Sequence, residues 1–413
     1  MANITPQRSG TADLALMGGG IPPWLFRRMT KLSLHVTEAI VADYGTQGFL
    51  KRLSDPFWFQ SFGAVIGMDW NSSGVTTAVL RALKTALNPH ADDLGLIVCG
   101  GKGKRSLQTP HELVRYAGRT SLDGDALARA SKLSAKVDNT AVQDGFQLYI
   151  HGFVASADGE WAVIQQGMKP ADRSARRYHW HSNGLDSFVD DPHAAIAGPN
   201  QGAILNLVDA EAQSAQEGIL TVAQEPVTAL VNEVATMRLP RHHGVRASDV
   251  DLKRLGAVLH LAQESETATF EELLLLKGLG PRTLQALALV SEVVHGTPTR
   301  FSDPARFTFA HGGKGGTPFP VPTRVYDETI ETLRSAVERA KMGQTDKAKA
   351  LRSLTRLAQK LEDGYTPRPF FDEAIQRERR DSWKHGGRTV QGAAMPSDSG
   401  DRQRGQLDLF GSG

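Results

Sequence analysis

One cysteine, Cys99, occurs in the 413 residues, so the chain cannot form an intramolecular disulfide and has no thiolate cluster for a structural metal. Long apolar runs are missing too, which excludes a membrane-spanning helix of ordinary length. Met1 to Gly20 lacks a basic stretch followed by an apolar core and does not read as a secretory signal. These absences lead to an expected cytoplasmic location with no membrane partner. Net charge is also scarce, at +2, so the chain as a whole is not a polycation that would coat an acidic surface indiscriminately.

What is present is a hydrophobic fraction of 40%, enough for globular cores and too much for a disordered chain. The length suits two or three domains. Charge is unevenly placed. Arg324 to Lys360 carries Arg334, Arg339, Lys341, Lys347, Lys349, Arg352 and Arg356 against fewer acids, which reads either as a solvated helix face or as a surface for phosphates.

The pattern divides the chain into 1–225, an α/β core domain with a mixed sheet; 226–300, a helical domain; 301–382, a basic helical region; and 383–413, a disordered tail poor in apolar residues. Helical spacing covers Trp24 to Leu53, entered through Pro22-Pro23, and Gly74 to Leu87. Leu94 to Cys99 reads as a buried strand closed by Gly100-Gly101. Thr109 then caps a helix from Pro110, with Glu112 completing a capping box. Phe146 to Gly167 reads as two strands around an Asp158-Gly159 turn, which puts His151 opposite Gln166. Gln147, Tyr149, His151, Glu160 and Gln166 then share one polar face. A short strand is expected at Ala203 to Val208, two helices between Val250 and Val294, and more from Tyr326 to Leu361.

Leu276-Lys277-Gly278-Leu279-Gly280-Pro281-Arg282-Thr283 joins two helical segments. Gly278 and Gly280 permit a tight turn and close approach, and Pro281 suits the first turn of the next helix. The opening N–H groups of that helix, with Lys277 and Arg282, suit a phosphate. The segment resembles the helix-hairpin-helix element of DNA repair proteins, which implies a contact with DNA backbone that carries no base sequence. In glycosylases with that element a catalytic Asp lies about two dozen residues further on, near the spacing of Asp303. Ser302-Asp303-Pro304 also reads as a helix cap, and that reading is preferred.

Near the C-terminus, Gln406-Leu407-Asp408-Leu409-Phe410 is similar to the peptide by which bacterial polymerases and repair proteins dock on the sliding clamp of DNA polymerase III. Leu409 and Phe410 would anchor in an apolar pocket beside Leu407, and Gln406 offers a two-sided amide.

Thr11 to Leu14, Leu53 to Gln60, Cys99 to Lys104, Val163 to Met168 and Phe309 to Lys314 together resemble the domain-of-unknown-function 763 family of bacteria and archaea. That resemblance implies a shared fold and no settled activity. Two of these segments are glycine-lysine loops, in which Lys102, Lys104 and Lys314 could meet DNA phosphates. Neither has the spacing of a nucleotide P-loop.

The polar residues Asp138, Asp144, Gln147, His151, Glu160, Gln166, His179 and His181 are the candidates for chemistry. Asp144 and Glu160 could hold Mg²⁺ or Mn²⁺, with His151 beside them, and activate water for phosphodiester cleavage. The order of elements resembles restriction-type nucleases, but Ala162 stands where that pattern has Lys. The expectation is a nucleoid-associated DNA-binding protein of replication or repair, acting as a metal-dependent nuclease recruited by the clamp. Its alternatives are a glycosylase using Asp303 and a non-enzymatic DNA-binding factor. Replacing Leu409 and Phe410 by Ala should abolish retention of the chain on immobilised clamp; undiminished retention removes the clamp assignment.

Overall fold

A computed structural model describes residues 21–68, 74–169, 174–198, 200–236, 252–305, 323–363, 388–389 and 392–393. The chain forms two units, Met1–Tyr365 and Thr366–Gly413. In the second, Arg388–Thr389 pairs with Gly392–Ala393 as a small antiparallel ladder. The expected disordered tail otherwise lies outside the described residues, as do Lys314 and the segment Gln406 to Phe410.

The first unit opens with α1 (Pro23–Leu53), α2 (Pro56–Val65) and α3 (Gly74–Leu87). Pro23 enters α1 where a missing N–H costs no hydrogen bond, and α1 kinks at Gly45, whose φ is 70°. Asp55 caps α2 by accepting from the Trp58 N–H at 2.7 Å. Next come α4 (Ala91–Leu94), β1 (Leu96–Lys102), a 3-10 segment (Gly103–Gln108), α5 (Thr109–Ala117) and α6 (Gly124–Lys136). A π-helical turn, Val137–Ala141, leads into β2 (Val142–Gln143), β3 (Gln147–Ser156), β4 (Trp161–Lys169), β5 (Ser174–His181), β6 (Ala195–Ala197) and β7 (Leu205–Asn206). Helices α7 (Gln213–Ala223), α8 (Val227–Thr236), α9 (Leu252–Glu264), α10 (Phe270–Leu275), α11 (Pro281–His295), α12 (Thr323–Arg339) and α13 (Gln344–Asp363) complete it.

The main sheet runs β1-β3-β4-β5-β6, and every pairing in it is antiparallel. The expected mixed sheet is corrected on this point. Short links between β3, β4 and β5 leave no room for the crossover that parallel neighbours need. Alternation along the strands then feeds two cores. Phe153, Ala155, Trp161, Val163, Tyr178 and Trp180 face α5–α7 and α9–α11. Ile150, Val154, Ala162 and Ile164 face α1–α3, α12 and α13. The sheet is therefore covered on both sides, so polar side chains on either face must find partners inside the protein.

Register decides which polar side chains meet. The β3–β4 turn uses Ala157, Asp158 and Gly159, with Gly159 at φ 89° and the Ser156 N–H donating to the Glu160 carbonyl at 2.8 Å. The expected two-residue turn is one residue too short. That slip flips every β4 side chain to the opposite face. His151 consequently pairs with Gln165, not Gln166, and Glu160 leaves the His151 face. The capping box at α5 is also absent. Glu112 instead receives Lys84 Nζ at 2.7 Å and the Gly100 N–H at 2.7 Å. The strand expected at Ala203 to Val208 is the two residues of β7.

Gly100 sits where β1 passes closest to its neighbours. Its φ is 88°, and a Cβ there would meet the His151 carbonyl oxygen and Thr109 Oγ1. Gly100→Ala should therefore destabilise the fold by about 2–4 kcal/mol in urea unfolding. A loss below about 0.5 kcal/mol would contradict the close approach.

Candidate functional site

The loop between α10 and α11 is a built feature. Thr269 and Glu272 form a capping box at the start of α10, and Leu276 and Leu279 are buried beneath the loop. Gly278 has φ 94°, a conformation that favours glycine, and Gly280 is the N-cap of α11. Arg254 Nε donates to the Gly278 carbonyl at 2.8 Å, and Lys136 Nζ donates to the Leu279 carbonyl at 2.7 Å. Gln143 Nε2 donates to the Pro281 carbonyl at 2.9 Å.

A planar trans peptide points its N–H away from its C=O, so tying the Leu279 carbonyl to Lys136 turns the Gly280 N–H the other way. The opening N–H groups of α11 have no intrahelical acceptor, and the exposed Lys277 and Arg282 flank them. Burial and the neighbouring Arg254 hold the Lys136 ammonium below its ordinary pKa. Cations are thus gathered here at an electrostatic cost, a pattern suited to an anion.

The other glycine-lysine segment is the end of β1 and the 3-10 segment after it, because the strand expected to close at Gly100-Gly101 pairs with β3 as far as Lys102. Gly101 and Gly103 have φ of 145° and 60°, and Lys102, Lys104 and Arg105 are exposed. Lys102 Nζ lies 5.7 Å from the centre of the Tyr149 ring.

Asp144 and Glu160 do not share a site. Asp144 precedes β3 and Glu160 follows it, so the two stand at opposite ends of a strand about 30 Å long. They also belong to opposite faces. Asp144 Oδ2 accepts from Arg176 Nη1 at 2.9 Å and Tyr178 Oη at 2.6 Å, while its Oδ1 accepts from the Phe146 N–H at 2.9 Å. Glu160 instead lies close enough for its charge to act on His181. The expected Mg²⁺ or Mn²⁺ pair is corrected accordingly: these carboxylates do not fit one ion. Among the described residues, no group of three or more His, Cys, Asp and Glu side chains could hold a metal ion.

His151 is buried, and both of its ring nitrogens are engaged. Gln165 Nε2 donates to Asp138 Oδ2 at 2.5 Å, which leaves Gln165 Oε1 to accept from His151 Nδ1 at 2.8 Å. His151 Nε2 then accepts from Ser131 Oγ at 2.8 Å. Trp180 Nε1 and His193 Nε2 complete the shell of Asp138 at 3.0 and 2.5 Å. Burial pushes the Asp138 carboxyl up, and His193 and Trp180 pull the other way. This relay ties α6, β3, β4 and β5 together and engages both ring nitrogens of His151, the expected catalytic histidine, inside the protein.

The opposite face has its own network. Arg177 Nε donates to His179 Nε2 at 2.8 Å and Nη1 to Gln60 Oε1 at 2.9 Å. Gln166 meets Thr76 and Tyr149 there. Burial, then the Arg177 charge, holds His179 well below its ordinary pKa.

Asp303 is a partner of Arg176, not a free acid. Its oxygens accept from Arg176 Nη1 at 3.0 Å and Nη2 at 2.6 Å, and from the Gln201 and Ala305 N–H groups at 2.5 and 2.9 Å. Arg176 and both of its carboxylate partners are buried, so the ion triad fastens the segment after α11 to the sheet.

The family described as protein of unknown function (DUF763) matches residues 10–321, about three quarters of the chain. The chain belongs to the DUF763 family. No curated protein and no solved structure matches it. The matched span of this DUF763 chain covers the sheet, both buried networks and the α10–α11 loop.

Residue types alone did not mark Lys136, Arg254, Arg176 and His193, because each meets its partner across a long stretch of sequence. Two arginines inside the alternating strand Ser174–His181 were the available signal. A charged side chain on a strand buried on both faces requires a partner.

Burial lowers the His151 pKa from 6.5 to about 4. From pH 6.5 down to about 4 the unfolded chain therefore takes up a proton that folded His151 refuses, and stability falls as pH falls. This group costs up to about 3 kcal/mol across that window. His151→Gln should reduce the slope of unfolding free energy there by about 1.4 kcal/mol per pH unit, leaving the part due to His179. An unchanged slope in urea titrations would contradict a neutral, buried His151.

Proposed function

We propose that this chain binds DNA through backbone phosphates, using the α10–α11 loop as a helix-hairpin-helix element. The observation that carries this reading is the loop's geometry. Its Gly278 and Leu279 carbonyls are held by Arg254 and Lys136, and the exposed Lys277 and Arg282 flank the start of α11. Such a cradle takes phosphate without reading bases, so the binding is independent of sequence. The clamp-like peptide Gln406 to Phe410 adds an address, placing the chain at replication or repair sites.

On this reading the protein is a DNA-binding factor recruited by the clamp. A nuclease activity would need residues other than Asp144 with Glu160, and a glycosylase would need a carboxylate less engaged than Asp303.

Fluorescence anisotropy with a labelled duplex tests the reading. Lys277→Gln with Arg282→Gln should weaken binding on the order of tenfold and lower the log–log salt slope by about 2. Wild-type protein that leaves duplex DNA unbound at about 50 mM salt overturns it.

A further inference from the structure

The two glycine-lysine elements are far apart in sequence but meet at one end of the sheet. Lys102 is the Cα partner of Ile150, near the start of β3. Seven residues before Ile150, Gln143 contacts Pro281 at the head of α11. Extended chain covers at most about 25 Å over that stretch and the steps at its two ends add roughly 10 Å, so both loops lie within about 35 Å. Between them stands the C-terminal end of α6, whose Lys136 reaches Leu279. Helix α5, into which the 3-10 segment runs, packs against α6 on the face that also carries α11.

Exposed carboxylates collect at the other end. Asp158 lies in the β3–β4 turn, and its charge and that of Asp92 both act on Tyr116. Asp123 caps the far end of α6, beside Leu122, which lies against Gly159. Lysines and arginines thus gather at the β3 start, while these aspartates lie at the β3 end, where Lys51 acts on His181 as well. A polyanion is drawn to the first and repelled from the second.

We propose that Lys102, Lys104 and Arg105 form a second backbone contact for the same duplex that the α10–α11 loop holds, with Lys136 lying between the two contacts. This rests on the phosphate-binding reading of that loop and extends it to a footprint. A separation of up to about 35 Å is close to one turn of B-form duplex, roughly 34 Å, so a single duplex lying across the basic end reaches both loops. Both contacts are to phosphates, so the longer footprint adds affinity and fixes orientation without adding sequence preference.

The test compares the full wild-type chain, the hairpin variant Lys277→Gln/Arg282→Gln and the loop variant Lys102→Gln/Lys104→Gln/Arg105→Gln. Each binds a labelled duplex of about 20 base pairs over about 50 to 200 mM salt. Unchanged thermal melting of the loop variant establishes that its exposed substitutions leave the fold intact. The expected result is a loss of about 3 from the salt slope in the loop variant and about 2 in the hairpin variant. If the hairpin variant weakens and the loop variant binds with wild-type affinity and slope, the second contact is overturned while the hairpin reading stands. If wild type does not bind, both fall. Should the loop variant fail to fold, charge reversal of Lys104 alone, Lys104→Glu, supplies the same comparison: a slope unchanged from wild type overturns the second contact.

Discussion

The register of β3 on β4 governs the interior of this protein. With three residues in their turn, His151 and Gln165 point to one side of the sheet and Gln166 to the other. Because helices cover both faces, none of these groups can turn to solvent. Each must complete a hydrogen-bonded network, and two networks result. One runs Ser131–His151–Gln165–Asp138–His193, and the other gathers around Arg177. A shift of one residue would exchange their members and leave buried donors facing apolar side chains, at a cost of several kcal/mol.

The same framework positions the surface. Asp138 and the π-helical turn that carries it fix the end of α6, so Lys136 arrives beneath the Leu279 carbonyl. The Asp144–Arg176–Asp303 triad fastens the segment leaving α11 to the sheet's face. The α10–α11 loop is thereby held from α6, from β2 through Gln143 and from α9 through Arg254. Rigid support of this kind suits a phosphate contact, whose strength depends on N–H groups being oriented before the ligand arrives.

The elements legible in the sequence were those set by local chemistry. Helix α3 matches its expected span, α1 does so to within a residue, and the two glycines with Pro281 mark the α10–α11 loop. The polar residues were visible as a set, yet their grouping was not. It turned on whether the β3–β4 turn held two residues or three, and Asp158-Gly159 fits either, since a three-residue turn also places Gly at positive φ. Glu160 accordingly looked like a companion of His151, although it lies on the other face. The engagement of Asp144 was equally hidden, because Arg176 reaches it from 32 residues away and is itself held by Asp303, 127 residues further along. The family match covers residues 10–321 and leaves the chemistry to the sites.

The central claim is that the basic end of the sheet, built around the α10–α11 loop, receives the phosphate backbone of DNA. Amide hydrogen exchange on the full chain, with and without a saturating duplex, tests it most directly. Slowed exchange is expected in Lys277–Leu284, with the Asp158–Glu160 turn unaffected. Protection centred on that turn, or absent from the α10–α11 loop while DNA is bound, would contradict it.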